Sequence, residues 1–306
     1  MKKDTIKKKL KGLLKVNMNK TTISYKSTNI LIEELKKQEN IELIKKSSFF
    51  SSLFGKKNFA DIYFHTGNLD EKSIENIKNS KITIANSFAS MNQIIAKTKI
   101  SHEKIKVIYP SINIEYQKPK EIKAKLANEL NFDVKTKLIF FTAKNFKTSG
   151  IKEFLDICSS ITYPSFKVII AGEQRQISTL EFQLPKYENL QNKIILLSDY
   201  KNIDELFLAS DIFLLPTYNK SFSSNIIKAM YCKCVVFLSL ENDAKEIIDV
   251  FSSMDSPDDP STAFKIDAVL VDKNELKKIK KENRKLAQEF DLKVALEKMN
   301  YILENV

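Results

Sequence analysis

The chain has 306 residues, 43% of them hydrophobic, and a formal net charge of +12 at pH 7. This composition is typical of a globular protein, and the length is enough for two domains of ordinary size. No apolar run approaches the ~20 residues of a membrane span or forms the core of a signal peptide. Only Arg175 and Arg284 among the 50 basic residues are arginine, which argues against specific nucleic-acid binding, because base and phosphate recognition usually uses the guanidinium fork.

Residues 1–20 hold eight lysines against one aspartate. Ile6, Leu10, Leu13 and Leu14 recur at helical spacing, so a basic amphipathic helix is predicted. Two interpretations stay open. The helix attaches the protein to an anionic membrane surface, which implies a cytoplasmic protein peripheral on the inner face, or it packs its apolar stripe on the domain.

Five short strands are predicted next, with helical patterns at Asn29–Lys37 and Phe88–Lys97 between some of them. This alternation predicts a parallel α/β sheet. The strands are Thr21–Ser27, Ile41–Lys46, Asp61–Thr66, Lys81–Ser87 and Lys104–Pro110.

A charged segment with Pro119 and a short helical pattern, Tyr116–Val134, is predicted as a linker to a second α/β unit. Helices are predicted in that unit at Gly150–Ile161 and Asn202–Ser210, followed near the end by a long helical tail. Its predicted strands are Lys137–Ala143, Phe166–Gly172, Ile194–Ser198 and Ala268–Asp272.

The segment from Asp211 to Ile248 is the most informative. Two apolar runs, Asp211–Thr217 and Val235–Leu240, predict buried parallel strands. Between them a polar turn precedes a helix, with Ser223 or Ser224 placed to cap it, and a further helix is predicted to begin near Asp243. A helix N-terminus at the carboxyl edge of a sheet is a common site for phosphate-bearing ligands.

The order of residues in this segment resembles the donor site of GT-B glycosyltransferases of the family-4 type, also called glycosyltransferase group 1. The family pattern is a strand ending in Leu-Pro-Ser/Thr, then Glu-Gly-Phe-Gly, four residues, and Glu-Ala-Met. Here Lys220, Phe222 and Ser223 stand in the first motif and Lys228 in the second, so both family glutamates are lysines. In the family these glutamates accept hydrogen bonds from the donor sugar and the ribose, whereas an ammonium can only donate.

The segment TAKNFKTSG, residues 142–150, resembles the family's Gly-Arg-x4-Lys-Gly loop, whose two cations neutralise the donor diphosphate. Lys144 stands in the arginine place and Ser149 in the lysine place. Lys147 lies two residues away, within reach of the same phosphate if the loop changes shape. The resemblance also places Glu246 in the donor site.

The resemblance implies an α/β fold of the GT-B kind, with two Rossmann-like domains and a C-terminal helix crossing back onto the first domain. The expected parts are an N-terminal domain (1–116), a linker (117–134), a C-terminal domain (135–285) and the crossing helix (286–306). The first domain looks trimmed, because only twenty residues separate His65 from Ala85 and the family's Gly-Gly loop is missing. His65, at a strand end, is either a catalytic-site histidine or a structural one.

Three functions are compatible with these residues. The first is a GT-B protein that has lost sugar transfer and serves as a binding or scaffold module in a protein assembly. The second is an active glycosyltransferase with a lipid-linked, surface-glycan or protein acceptor, and the third is a basic protein recruited to a membrane. The only expected ligand is a nucleotide sugar. No metal or other cofactor is expected, since Cys158, Cys232 and Cys234 lack ligand spacing and are interpreted as free thiols.

Overall fold

The computed structural model describes residues 20–44 and 58–306. The helix predicted for residues 1–20 therefore lies, apart from Lys20, outside the described residues. The first sheet contains β1 (Thr21–Tyr25), β2 (Ile41–Leu43), β3 (Ile62–Phe64), β4 (Ile82–Ala85) and β5 (Ile105–Val107). It has the order β2-β1-β3-β4-β5 and is parallel throughout. Its helices are α1 (Ile30–Leu35), α2 (Glu71–Asn79) and α3 (Phe88–Thr98).

The second sheet contains six parallel strands in the order β11-β10-β9-β6-β7-β8. These are β6 (Lys137–Thr142), β7 (Phe166–Gly172), β8 (Ile194–Ser198), β9 (Ile212–Leu215), β10 (Val235–Ser239) and β11 (Ser253–Met254). The accompanying helices are α4 (Pro119–Glu129), α5 (Ile151–Ser159), α6 (Gln174–Glu181), α7 (Ile203–Ala209), α8 (Ser224–Tyr231), α9 (Ser261–Val271), α10 (Lys273–Ala287) and α11 (Leu292–Leu303). The strand order reverses between β6 and β9, which is where open α/β sheets form a ligand crevice.

The strands at the centre of the second sheet are apolar because helices cover both of their faces. All four residues of β9 and all five of β10 are buried. Parallel strands buried on both sides carry continuous rather than alternating hydrophobic residues. The α/β prediction and the predicted strands of both sheets are therefore confirmed, with one exception.

The strand predicted at Ala268–Asp272 is wrong. These residues form the end of α9 and the turn after it, and Val269 and Leu270 face the core from that helix. A run of four apolar residues does not distinguish a strand from the buried end of a helix. The edge of the sheet is instead β11, a strand of two residues that pairs with β10.

Three segments contain more helix than the sequence analysis predicted. Helix α2 fills the short gap between His65 and Ala85, and the Asp70 carboxylate caps it by accepting a hydrogen bond from the Ser73 amide at 2.7 Å. Helix α6 lies between β7 and β8. The segment predicted as a linker contains α4, which packs Ile122 and Leu126 into the core of the second sheet.

The C-terminal helix crosses back onto the first sheet, as predicted. Helix α11 packs Leu292, Ala295 and Met299 against the core that contains Ile23 and Ile32. The chain on either side of its start pairs with Ile112, whose amide donates to the Phe290 carbonyl at 3.0 Å and whose carbonyl accepts from the Leu292 amide at 2.9 Å. The two sheets are thus joined by the segment after β5 and by α11.

Candidate functional site

The loop between β6 and α5 is pressed against the end of β9. Gly150 has φ +78°, and a Cβ atom added there would lie 1.7 Å from the Pro216 carbonyl oxygen. The Thr148 carbonyl accepts hydrogen bonds from the Tyr218 amide at 3.1 Å and from Asn219 Nδ2 at 3.3 Å. The loop that resembles the phosphate-binding segment is therefore held against the loop that resembles the sugar-binding segment.

The predicted site residues of the 142–150 loop lie in different environments. Lys144 and Lys147 are exposed, whereas Ser149, in the place of the family's lysine, is buried, with its Oγ 3.4 Å from Asn219 Nδ2. Lys147 lines a pocket together with Arg175. Ser149 thus supplies no cation to the crevice.

The loop after β9 is organised by Asn242, a residue that the sequence analysis did not single out. Its Nδ2 donates to the carbonyls of Asn219 at 2.8 Å and Ser221 at 2.7 Å, and its Oδ1 accepts from the amides of Ser223 at 3.1 Å and Ala244 at 3.0 Å. Asn242 is buried. All four hydrogen-bonding positions of this one amide are satisfied, which fixes the backbone of residues 219–223.

The loop that Asn242 holds carries three predicted site residues. Lys220 is exposed, and Phe222 is buried with its ring 5.5 Å from that of Tyr109 in the first half of the chain. Helix α8 begins at Ser224, and Ser223 precedes it without a capping bond from its hydroxyl. Of the two serines predicted to cap α8, Ser223 is thus in the cap position without a side-chain bond, and Ser224 lies inside the helix.

Lys228, in the place of the family's second glutamate, is not a free ammonium. Its Nζ lies 3.0 Å from Asp204 Oδ1, at the start of α7. Both side chains are partly exposed. Asp204 was not among the predicted site residues, because nothing in the local sequence pattern shows that α7 and α8 lie side by side.

Glu246 makes its contacts across the two halves of the molecule. Its carboxylate accepts hydrogen bonds from the amides of Phe88 at 3.0 Å and Ala89 at 2.6 Å, and from the Tyr109 hydroxyl at 2.8 Å. A carboxylate at the first amides of a helix is favoured by both the free N–H groups and the helix dipole. Burial, with the hydrogen bond to Glu246, raises the pKa of Tyr109, so this hydroxyl remains a donor.

A second carboxylate joins the same helix end. Asp243 Oδ2 accepts a hydrogen bond from Ser87 Oγ at 2.9 Å, and Ser87 Oγ itself accepts from the Ser90 amide at 2.9 Å. Burial raises the pKa of Asp243, and the Ser87 hydroxyl opposes that effect. Asp243 and Glu246 lie on the 3-10 turn Asp243–Ile247, where the sequence analysis predicted a helix. We call these contacts of Asp243 and Glu246 with the start of α3 the interdomain latch.

We expect Glu246→Ala to loosen the interdomain latch. Losing the acceptor for two amides and one hydroxyl should speed hydrogen exchange at Phe88 and Ala89 about tenfold or more, because a hydrogen bond to a charged group contributes about 1.5–3 kcal/mol. Hydrogen exchange, monitored by mass spectrometry or NMR, measures the rates at these two amides. The exposed Glu289→Ala is the matched control, and equal protection in the two variants would show that the latch contributes nothing.

His65 lies at the end of β3 and is buried. Its Nε2 is 3.1 Å from the Gly67 carbonyl oxygen, while its Nδ1 is buried without a hydrogen-bond partner among the described residues. Burial and the charge of Lys26 lower the pKa of His65 to about 4, so the ring is neutral, with Nε2 as donor and Nδ1 as acceptor. A Cβ on Gly67 would lie 3.4 Å from Ser221 Oγ, so the segment that follows His65 approaches the loop after β9.

The described residues contain no group of three or more His, Cys, Asp or Glu side chains that could hold a metal ion. The three cysteines are free and buried, and burial raises the pKa of the Cys234 thiol to about 12. In the same described ranges, no helix is long and apolar enough to cross a membrane. The candidate site thus consists of the two loops at the crevice, Lys228 with Asp204, and His65.

Two parallel sheets joined by a crossing helix define a GT-B glycosyltransferase fold, and solved structures share it. A glycosyltransferase from Rickettsia africae is 17% identical over 93% of this chain and 90% of its own, with a TM-score of 0.71. Anabaena Alr3699/HepE, solved in complex with UDP and glucose, is 18% identical over 80% and 71%, with a TM-score of 0.68. Sucrose-phosphate synthase from Thermosynechococcus elongatus is 14% identical over 92% and 73%, with a TM-score of 0.65.

The sequence comparison gives the family. The profile of glycosyl transferases group 1 matches residues 122–286, just over half of the chain, and the chain belongs to this family. No curated protein matches it. The matched region includes both loops of the candidate site, α8 and the 3-10 turn that carries Glu246.

Proposed function

We propose that this chain is a family-4-type GT-B protein that has lost sugar transfer and acts as a binding or scaffold module. One observation carries the proposal: lysines stand where the family pattern has both glutamates, and the second of them, Lys228, is held by Asp204. A glutamate accepts two hydroxyl hydrogen bonds at once, whereas Lys220 and Lys228 can only donate. The buried Ser149 supports the proposal, since it brings no positive charge to a diphosphate.

The free energy of the missing hydrogen bonds is large compared with the binding free energy of a typical ligand. Each charged hydrogen bond that is not formed forgoes about 1.5–3 kcal/mol, and about 1.4 kcal/mol corresponds to tenfold in affinity. Two such losses, at Lys220 and Lys228, convert micromolar donor binding into millimolar binding or weaker. Losing one of two cations that face a departing diphosphate costs a further ~3 kcal/mol, or ~100-fold in rate.

We therefore expect no measurable binding of common nucleotide sugars, with UDP-glucose as the first test because UDP occupies the Anabaena structure. Isothermal titration calorimetry at high micromolar protein measures this. Lys144→Ala and the exposed Lys186→Ala form the matched pair. Micromolar binding that Lys144→Ala abolishes and Lys186→Ala leaves intact would contradict the loss of the donor site.

An active transferase is the alternative, and two observations favour it. Asp204 places a carboxylate beside Lys228, close to where the family's second glutamate would act, and the neutral His65 has a free acceptor at Nδ1. The cations Lys220 and Lys228 would then suit an acidic donor sugar. The acceptor would be a lipid-linked glycan, a surface glycan or a protein. Release of UDP from a UDP-hexuronic acid, lost in Asp204→Asn, would establish this alternative.

A scaffold needs a partner, and we propose a protein partner or assembly in the cytoplasm. Recruitment to an anionic membrane surface through residues 1–20 is the other proposal for how the protein is placed. It rests on the lysine-rich amphipathic pattern of that segment. Membrane recruitment does not depend on the crevice, because residues 1–20 are not part of the crevice loops.

A further inference from the structure

A pocket of about 710 Å³ lies between the 142–150 loop, the first turn of α5, helix α6 and Tyr218. Phe146, Ile151 and Leu180 form its floor, and all three are nearly or fully buried. Apart from Lys147, none of the predicted donor-site residues lines it. Its volume is that of a small-molecule site, and it shares Thr148 and Tyr218 with the two loops at the crevice.

The cations around this pocket differ in whether they are paired. Lys152 pairs with Asp156 at 2.7 Å, and the Glu153 carboxylate accepts a hydrogen bond from the Tyr218 hydroxyl at 2.9 Å. Within residues 20–44 and 58–306, no carboxylate pairs with Lys147 or Arg175. The pocket thus combines an apolar floor with two cations that lack a partner in the described chain.

We propose that this pocket binds an amphipathic anion, a single aliphatic chain with a phosphate headgroup. The chain would lie on Phe146, Ile151 and Leu180, where it is removed from water. The phosphate would lie against Arg175 and Lys147, because a guanidinium binds phosphate oxygens through two parallel hydrogen bonds and an ammonium adds a point charge. Neither Lys220 nor Lys228 lines the pocket, so binding there does not require the crevice to accept a donor sugar.

Dodecyl phosphate below its micelle concentration is the probe, titrated by calorimetry into the full chain. We expect it to bind about tenfold or more tightly than dodecyl maltoside, which has the same chain and a neutral headgroup, since the charged contacts are lost. Inorganic phosphate should give no measurable heat, because it lacks the chain. Equal affinity for the phosphate and the maltoside, or for dodecyl and inorganic phosphate, would overturn the proposal.

Variants locate the binding in the pocket. Arg175→Gln should weaken dodecyl phosphate about tenfold and leave dodecyl maltoside unchanged, and Thr179→Trp, which fills the pocket from the exposed face of α6, should abolish both. The exposed Lys201→Gln removes one positive charge elsewhere and should have no effect. If Thr179→Trp does not fold, Lys147→Gln provides the second test. Unchanged dodecyl phosphate binding in Arg175→Gln and in either second variant would refute the assignment.

Discussion

Asp211→Asn is expected to destabilise the protein by about 3–5 kcal/mol, the cost of leaving buried charges without their partner. Asp211 is 6% exposed and accepts hydrogen bonds from Lys123 and Lys280, each at 2.9 Å, and from the Leu138 amide at 3.2 Å. A third ammonium, on Lys137, lies 3.6 Å away. This one carboxylate therefore ties α4, β6 and α10 to the start of β9.

The destabilisation should depend on pH in a defined direction. Burial alone would raise the pKa of Asp211, but Lys280, Lys123 and Lys137 hold it well below its usual range. Because the folded-state pKa lies below the unfolded value of about 3.9, the stabilisation is complete above that value and is lost as the pH falls through the folded-state pKa. The difference between the parent and Asp211→Asn should thus be greatest near neutral pH and narrow below about pH 4.

Urea unfolding followed by circular dichroism measures this difference. Asp258→Asn is the matched control, because Asp258 is exposed and accepts a hydrogen bond from Ser256 that an asparagine oxygen can also accept. We expect this control to change stability by less than about 0.5 kcal/mol, as is usual for surface substitutions. Similar unfolding midpoints for the two variants at pH 7 would mean that Asp211 is not an essential link in the fold.

Gly150→Ala should have the second large effect, about 2–5 kcal/mol. The φ angle of +78° alone costs an L-residue about 1–2 kcal/mol, and forcing a methyl group into filled space costs about 1–3 kcal/mol more. The obstruction is the backbone carbonyl of Pro216, 1.7 Å from the added Cβ, which cannot rotate away like a side chain. The loop and the end of β9 would have to separate, and the crevice would change shape.

Gly67→Ala separates the cost of the positive φ angle from the cost of the close contact with Pro216. Gly67 has nearly the same φ, +72°, but its added Cβ would meet only Ser221 Oγ, at 3.4 Å, an ordinary contact. We expect this variant to lose about 1–2 kcal/mol, the cost of the backbone conformation alone. Urea midpoints of the two variants compare them directly. Equal losses would show that the close approach of Gly150 to Pro216 adds nothing.

The two halves of the molecule meet closely at the candidate site. The interdomain latch joins Glu246 and Asp243 to the start of α3, and Phe222 packs against Tyr109. A ligand between the domains would have to fit this arrangement or displace it. The latch and the lysines at the glutamate places are thus two separate features that any donor in the crevice would meet.

Much of the fold followed from local patterns. Buried parallel strands carry continuous apolar residues, which is why β6, β7, β9 and β10 were predicted close to their observed bounds. The helix after β9 and the crossing helix were predicted from helical spacing and from the family resemblance. Where the pattern was short, as at Ala268–Asp272, it could not separate a strand from the end of a buried helix.

The sequence by itself determined the two α/β units, the family resemblance and the residues that stand at Lys220, Lys228 and Ser149. Only the tertiary structure decided what these side chains contact. Asp204 pairs with Lys228 because two helices lie side by side. Glu246 accepts a hydrogen bond from the amide of Phe88, which is 158 positions away in the sequence. Local propensity acts over a few neighbouring residues, whereas these contacts exist only after distant parts of the chain have packed together, so no local pattern could predict them.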